Sequence, residues 1–354
     1  MKNRVWPLVL SMCILLSGCG QKNIENNAKE KTFTDSLGRS VCVPEVIERV
    51  AVSGPLAQIM VFSLCPEKLV GIAEPWAPSA EEYLTTEYYE LPVLGQLYGG
   101  KGELNLETLL ASGAQVVIDV GEPKDTAAED LEALQAQTGI PFVHITAALE
   151  NTPQAYRALG KLTGMEEAAE ELAAFCAGIY ESAVKLAETV DQVDVLYITG
   201  SAGQHVIARD SYHSEIIDML CNNLAVVDLP TAKGSGNEVG LEQIMAWDPE
   251  VIIFSDQSIY DTVGEDPVWQ SLPAIAEGRY YEVPAGPYNW LGFPPSVQRS
   301  LGLAWLGELL YPEESETDLY ETVKACYDLF YHCDLTYAQY ERMVEKSIGK
   351  AGER

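Results

Sequence analysis

The sequence predicts an α/β protein: two layered α/β lobes joined by a single long α-helix, with a ligand cleft between the lobes. Three observations carry that prediction. Short, apolar, β-rich runs alternate with helical stretches, the pattern of buried, largely parallel sheets covered by helices. Residues 166–190 place Leu172, Phe175, Ile179, Ala183, Leu186 and Val190 at steps of three and four, which makes one apolar stripe on a long helix. The segment 105–118 (NLETLLASGAQVVI) aligns without gaps to 240–253 (GLEQIMAWDPEVII). Each proposed half therefore holds a helix start, a short amphipathic helix, a turn and a buried strand, as pseudo-duplicate lobes would.

At the N-terminus, Lys2 and Arg4 precede an apolar run from Val5 to Leu16. The run is too short to span a bilayer, which needs ~20 residues, and suits a secretory signal over residues 1–18. It ends in Leu16, Ser17, Gly18 and Cys19, which resembles a bacterial lipobox. That resemblance implies cleavage before Cys19, acylation of its thiol, and a protein anchored by lipid on the extracytoplasmic face of the bacterial membrane. Two or more acyl chains make such attachment lasting. Residues 19–31 are polar and read as a flexible tether.

An N-terminal lobe is expected over residues 32–165, with strands at 49–53, 69–73, 115–120 and 141–145. The connecting helix, 166–190, would be ~37 Å long and stiff enough to keep lobe closure small. A C-terminal lobe is expected over 191–310, with strands at 193–199, 251–255 and 279–283 and a weaker signal at 226–228. Prolines stiffen the loop 284–295 (PAGPYNWLGFPP), and Ser296 is placed to cap a helix running to Leu310. Residues 311–354 form a helical extension, with helices at 319–330 and 337–348 packed back on a lobe.

Composition narrows the function. There are 354 residues, with 22 Lys+Arg against 53 Asp+Glu, a formal charge of −31. Such a chain repels phosphate backbones, so nucleic-acid binding is not expected. Four histidines are few for a His-rich metal site, and no resident metal or cofactor is expected. Beyond the signal and Cys19 lie Cys42, Cys65, Cys176, Cys221, Cys326 and Cys333, with no CxxC pair. Cys326 and Cys333 on one helix would stand ~10 Å apart, too far for a disulfide, so buried free thiols are expected.

Taken together, the chain resembles the substrate-binding lipoproteins of ABC importers, in the iron-siderophore, haem and cobalamin class with a helical backbone between lobes. The resemblance spans roughly residues 32–310. It rests on Thr34, Asp35, Gly38, Arg39, Val43 and Pro44, on Glu48, Arg49 and Val50, on the run 91–95, and on the two Leu-Glu helix starts. It implies a non-enzymatic carrier, a monomer that captures an iron complex or corrinoid and delivers it to a permease dimer with its cytoplasmic ATPase. It also implies that Glu107 and Glu242 dock onto permease arginines. Elementary topology agrees, because a helix start beside a parallel strand lies at the sheet edge that holds ligand crevices, and Glu–Arg pairs fix register. For one glutamate alone, the bland alternative is helix-dipole complementation.

Strand-end loops supply the candidate ligand contacts. The aromatics are Trp76, Tyr98, Tyr212, Tyr288 and Trp290; the polar groups are His205, Arg209 and Asn289. Large organic ligands want such walls with a few convergent polar groups. Arg209 would suit an anion unless Asp210 or Glu215 pairs with it. The stretch from Tyr288 to Ser296 is also similar to oxyanion-type members of the class, so a molybdate or tungstate carrier stands as the alternative. A bare divalent-metal carrier would need His144, His205, His213 and His332 to converge. An extracellular hydrolase finds no GxSxG, HExxH or P-loop motif.

Overall fold

The computed structural model describes residues 29–98, 103–231, 233–256, 258–292 and 296–348. The expected signal, Cys19 and most of the tether lie outside the described residues, as do Pro294 and Pro295. The described chain opens on an antiparallel hairpin, β1 (Glu30–Thr34) and β2 (Ser40–Pro44), so the ladder begins inside the expected tether. Asp35 closes the turn. Its Oδ1 accepts from the N–H groups of Leu37 and Arg39, and its Oδ2 holds the Arg39 guanidinium at 2.6 Å.

In the N-terminal lobe, β3 (Val50–Val52) leads into α1 (Pro55–Leu64). Two short helices, α2 (Thr86–Tyr89) and α3 (Leu106–Ala111), precede β4 (Val116–Gly121). Then α4 (Ala127–Thr138), β5 (Phe142–Thr146) and α5 (Thr152–Thr163) complete the lobe. The strands pair in parallel in the order β3-β4-β5, and their apolar runs are buried on both faces, as parallel sheets require. The expected strand at 69–73 is not a ladder. Leu69 bridges Val50 and Ile72 bridges Val93; the chain changes partner after a single bridge, so no continuous pairing develops.

The connector α6 (Glu166–Ala187) has 22 residues, about 33 Å, and stops three residues before the expected end. Gly160 lets α5 pack tightly on it, since a Cβ there would come within 2.4 Å of the Ala169 Cβ. Its buried face is Ala169, Leu172, Ala173, Cys176 and Ala183. Phe175, Ile179 and Leu186 of the expected stripe are only half-buried.

The C-terminal lobe runs β6 (Asp194–Thr199), β7 (His205–Val206), α7 (Glu215–Leu220), β8 (Asn222–Asn223), β9 (Asn237–Glu238), α8 (Leu241–Trp247) and β10 (Val251–Phe254). It continues through α9 (Tyr260–Val263), α10 (Pro273–Ala276), β11 (Tyr280–Glu282) and α11 (Arg299–Leu310). The sheet order is β11-β10-β6-β7-β9, with β8 beside β6. β7 runs antiparallel to both its neighbours, β6 and β9, so this sheet is mixed. The weak strand signal at 226–228 fails. The Asn223 side chain accepts from the Ala225 N–H, a local turn that pulls the chain off the sheet edge and leaves Val226 61% exposed. Ser296 does not cap α11 either; Gln298 holds that position, and the Ser296 hydroxyl oxygen accepts from the Gln298 N–H.

Finally, α12 (Leu319–Tyr331) and α13 (Tyr337–Val344) form the extension, α13 starting at a Thr336/Gln339 capping box. Instead of packing on one lobe, the extension touches both. Arg342 pairs with Glu82 at 2.7 Å and the His332 ring meets the Phe62 carbonyl on one side. On the other, the Trp305 indole donates to the Ser347 carbonyl and Lys346 pairs with Asp261. The largest core cluster accordingly runs through both lobes. Cys333 lies past the end of α12, where His332 turns left-handed (φ 53°), so it does not share a helix with Cys326. The described cysteines are free; Cys42 is exposed, Cys333 partly so, and the other four are buried.

Candidate functional site

Parallel strands bring their carboxyl ends, and the helices that follow them, to one edge of each sheet. The starts of three helices meet where the lobes touch. Leu56 of α1, Thr152 of α5, and Arg299 and Ser300 of α11 line one cavity together with residues 147–149, Ser296 and Val297. Its volume is about 20 Å³, room for about one water. A larger groove of about 680 Å³ runs over the outer face between α6, α11 and α12. That groove takes in the start of α12 at Asp318, Glu321 and Thr322 but not the starts of α1, α5 and α11, and it lies away from the seam, so the smaller seam cavity is the better candidate.

Arg299 supplies the charge of the seam. It is 7% exposed. Its Nη2 donates to Glu215 Oε2, and its guanidinium rests over the Tyr212 ring at 5.6 Å. Burial pushes its pKa down, against the pull of Tyr212 and of Glu122 from the other lobe. Burial likewise raises the Tyr212 phenol, with Arg299 opposing. Gly292 (φ 105°) makes room for the arginine stem, since a Cβ there would come within 3.2 Å of the Arg299 Cδ. Further along the seam, burial raises the Glu74 carboxyl although Gln96 donates to it at 3.2 Å, and burial, with the Glu74 charge adding to it, raises Tyr288. Ser79 donates across the seam to the Pro287 carbonyl at 3.2 Å.

Of the residues expected at the cleft, Tyr212 and Tyr288 lie at this seam. Arg209 does not; its Nη2 donates to Asn222 Oδ1 at 2.6 Å and to the Asn223 carbonyl, so it pins β8 rather than pairing with Asp210 or Glu215. Trp76 is a core residue, 4% exposed, edge-on to Phe62 with its indole donating to the Tyr88 carbonyl. Trp290 is wholly buried beneath α11, its carbonyl oxygen against Gly302 and its indole N–H without a partner. Asn289 is a buried peg, donating to Tyr197 Oη and Asp256 Oδ1 and accepting from the Leu291 N–H. Tyr98 donates to Asp130 at 2.9 Å, and burial with that carboxylate pushes its phenol up. His205 lies on β7 with Nδ1 buried and unpartnered. Arg299 was missed because a count of bases cannot say which base folding buries.

Glu107 and Glu242 are both exposed in the first turns of α3 and α8. The four histidines sit apart: His144 against Asp119 at 2.7 Å, His205 on β7, His213 against the Gly292 carbonyl, and His332 against the Phe62 carbonyl. Among the described residues no group of three or more His, Cys, Asp or Glu is placed to hold a metal. Ser53 donates to the second oxygen of Asp119, so the carboxylate stands between serine and histidine, and the hydroxyl does not face the imidazole as a hydrolytic triad needs.

The chain is 28% identical to an ABC transporter solute-binding protein from Sulfurospirillum deleyianum, covering 89% of this chain and 99% of that one at a TM-score of 0.80. It is 26% identical to a periplasmic solute-binding protein from Veillonella parvula, covering 90% and 98% at a TM-score of 0.75. It is 24% identical to the molybdate-binding protein MolA of Haemophilus influenzae, covering 90% of this chain and 95% of MolA. The periplasmic binding protein profile matches residues 68–287. With two α/β lobes on a helical connector and more than half its length matched, the chain belongs to the periplasmic binding protein family and is a solute-binding protein of ABC import.

Proposed function

We propose that the chain captures a small oxyanion, of the molybdate or tungstate type, between its lobes and hands it to an ABC permease. The observation that carries the reading is the convergence of three helix starts and the buried Arg299 on the seam cavity, whose volume of about 20 Å³ the lobes must widen to admit the anion. Helix N-termini present free N–H groups and positive dipole ends to anions, and a buried guanidinium adds a bidentate donor. The likeness to MolA supports it. A second reading, the expected iron complex or corrinoid, draws support from the acids Glu74, Glu122 and Asp256 at the strand ends, which suit a neutral or cationic complex and repel a polyanionic one.

In both readings Cys19 carries the lipid, and Glu107 and Glu242 contact the permease, one from each lobe. Isothermal titration of the purified chain with molybdate, tungstate, ferric hydroxamates and cobalamin tests the cargo. Saturable one-to-one binding of the oxyanions is the expected result. Binding of an iron complex or cobalamin alone would transfer the assignment to the second reading.

A further inference from the structure

Arg299 is the buried cation of the seam, yet its charge already has a partner in Glu215. The two side chains are held unequally: that of Arg299 is 9% exposed and that of Glu215 32%. Gly292 lies under the arginine stem and Tyr212 under the guanidinium, so the arginine cannot leave without unpacking both. Glu215 opens the first turn of α7, and its side chain is already partly open to solvent. Asp218 on the same helix is committed elsewhere, accepting from Ser214, from the Asp210 N–H and from Asn223, while Glu122 of the other lobe acts on Arg299 through its charge.

We infer that Glu215 is a built-in stand-in for the cargo, its carboxylate holding the place on Arg299 that the anion's oxygens take and swinging out when the anion binds. The inference rests on the oxyanion reading. A carboxylate and a tetrahedral oxyanion offer a guanidinium the same pair of acceptor oxygens. A buried arginine left without any partner is costly, so exchanging one anionic partner for another keeps it paired at every stage. Glu215 then sets affinity, because cargo must compete with it. It also sets charge preference, because a dianion gains more than a monoanion when the competing negative charge is removed.

The test is calorimetric titration of the wild-type chain and Glu215→Gln with molybdate, tungstate and the monoanion perrhenate, with thermal unfolding as a check on folding. Glu215→Ala repeats it if the amide disturbs α7. The variant is expected to bind the dianions roughly tenfold tighter or more, and perrhenate with a smaller gain. Binding by the variant where the wild type shows none supports the inference equally. If the wild type binds and the folded variant binds no tighter, the inference falls and the oxyanion reading stands. If neither binds, the reading itself falls and takes the inference with it.

Discussion

In the N-terminal lobe residues 105–118 fold as α3 and β4; in the C-terminal lobe the matching residues 240–253 fold as α8 and β10. Both copies end in a buried parallel strand and expose a glutamate in the helix's first turn. Their surroundings differ. β4 is the middle of three parallel strands, whereas β10 lies between β6 and β11 in a mixed sheet. Asn105 caps α3 through its side chain, while α8 starts at Gly240 with no side-chain cap. The seam is more lopsided still: the C-terminal lobe contributes Arg299, Glu215 and Tyr212, and the N-terminal lobe contributes helix starts and the acids Glu74 and Glu122. The repeated motif thus accounts for what the lobes share with each other, and the unrepeated segments account for how their two sides of the seam differ.

The largest effect should come from the shared feature. Reversing both glutamates, Glu107→Lys with Glu242→Lys, is expected to abolish cargo uptake by cells while leaving the affinity of the purified chain unchanged. Single reversals would show which lobe dominates docking, and unaltered uptake by the double variant would remove both from the permease contact. Next comes the asymmetric seam. Arg299→Met should weaken molybdate binding by roughly 100-fold or more, whereas Arg209→Met should lower stability by about 1–3 kcal/mol through its lost asparagine contacts and spare affinity. Equal affinity losses in the two would undo the distinction drawn between them.

Stability separates core from cleft. Trp76→Ala should cost about 3–5 kcal/mol by denaturant unfolding, and Trp76→Phe should keep wild-type affinity; a large affinity loss with Phe would return this ring to the ligand. The smallest effect concerns the two caps. Asn105→Ala should cost about 1 kcal/mol. Gly240→Ala, with open space around the new Cβ, should stay within about 0.5 kcal/mol. Equal costs would show that the side-chain cap of α3 contributes nothing.

Much of the architecture was legible because it follows from local chemistry. The apolar runs at 115–120 and 251–255 could only be buried strands, and the gapless match around Leu106-Glu107 and Leu241-Glu242 exposed the duplication. The 69–73 run misled because an apolar segment shows burial and not how long a partner stays alongside. Trp76, Asn289 and Trp290, buried among core partners, show a related limit: a loop aromatic or amide reads the same whether it faces a ligand or plugs a core. The bridging extension was unreadable, since it depends on Arg342 meeting Glu82 across 260 residues of sequence.

By itself, the sequence determined the alternation of strands and helices, the long connector and the pair of exposed glutamates, because periodicity and caps act over a few residues. Tertiary structure alone decided that Arg299 and not Arg209 is the buried cation, that Glu215 meets it, and that α12 and α13 bind both lobes. Charge and burial at those positions are set by groups distant in the chain, and no local pattern records which distant groups will meet.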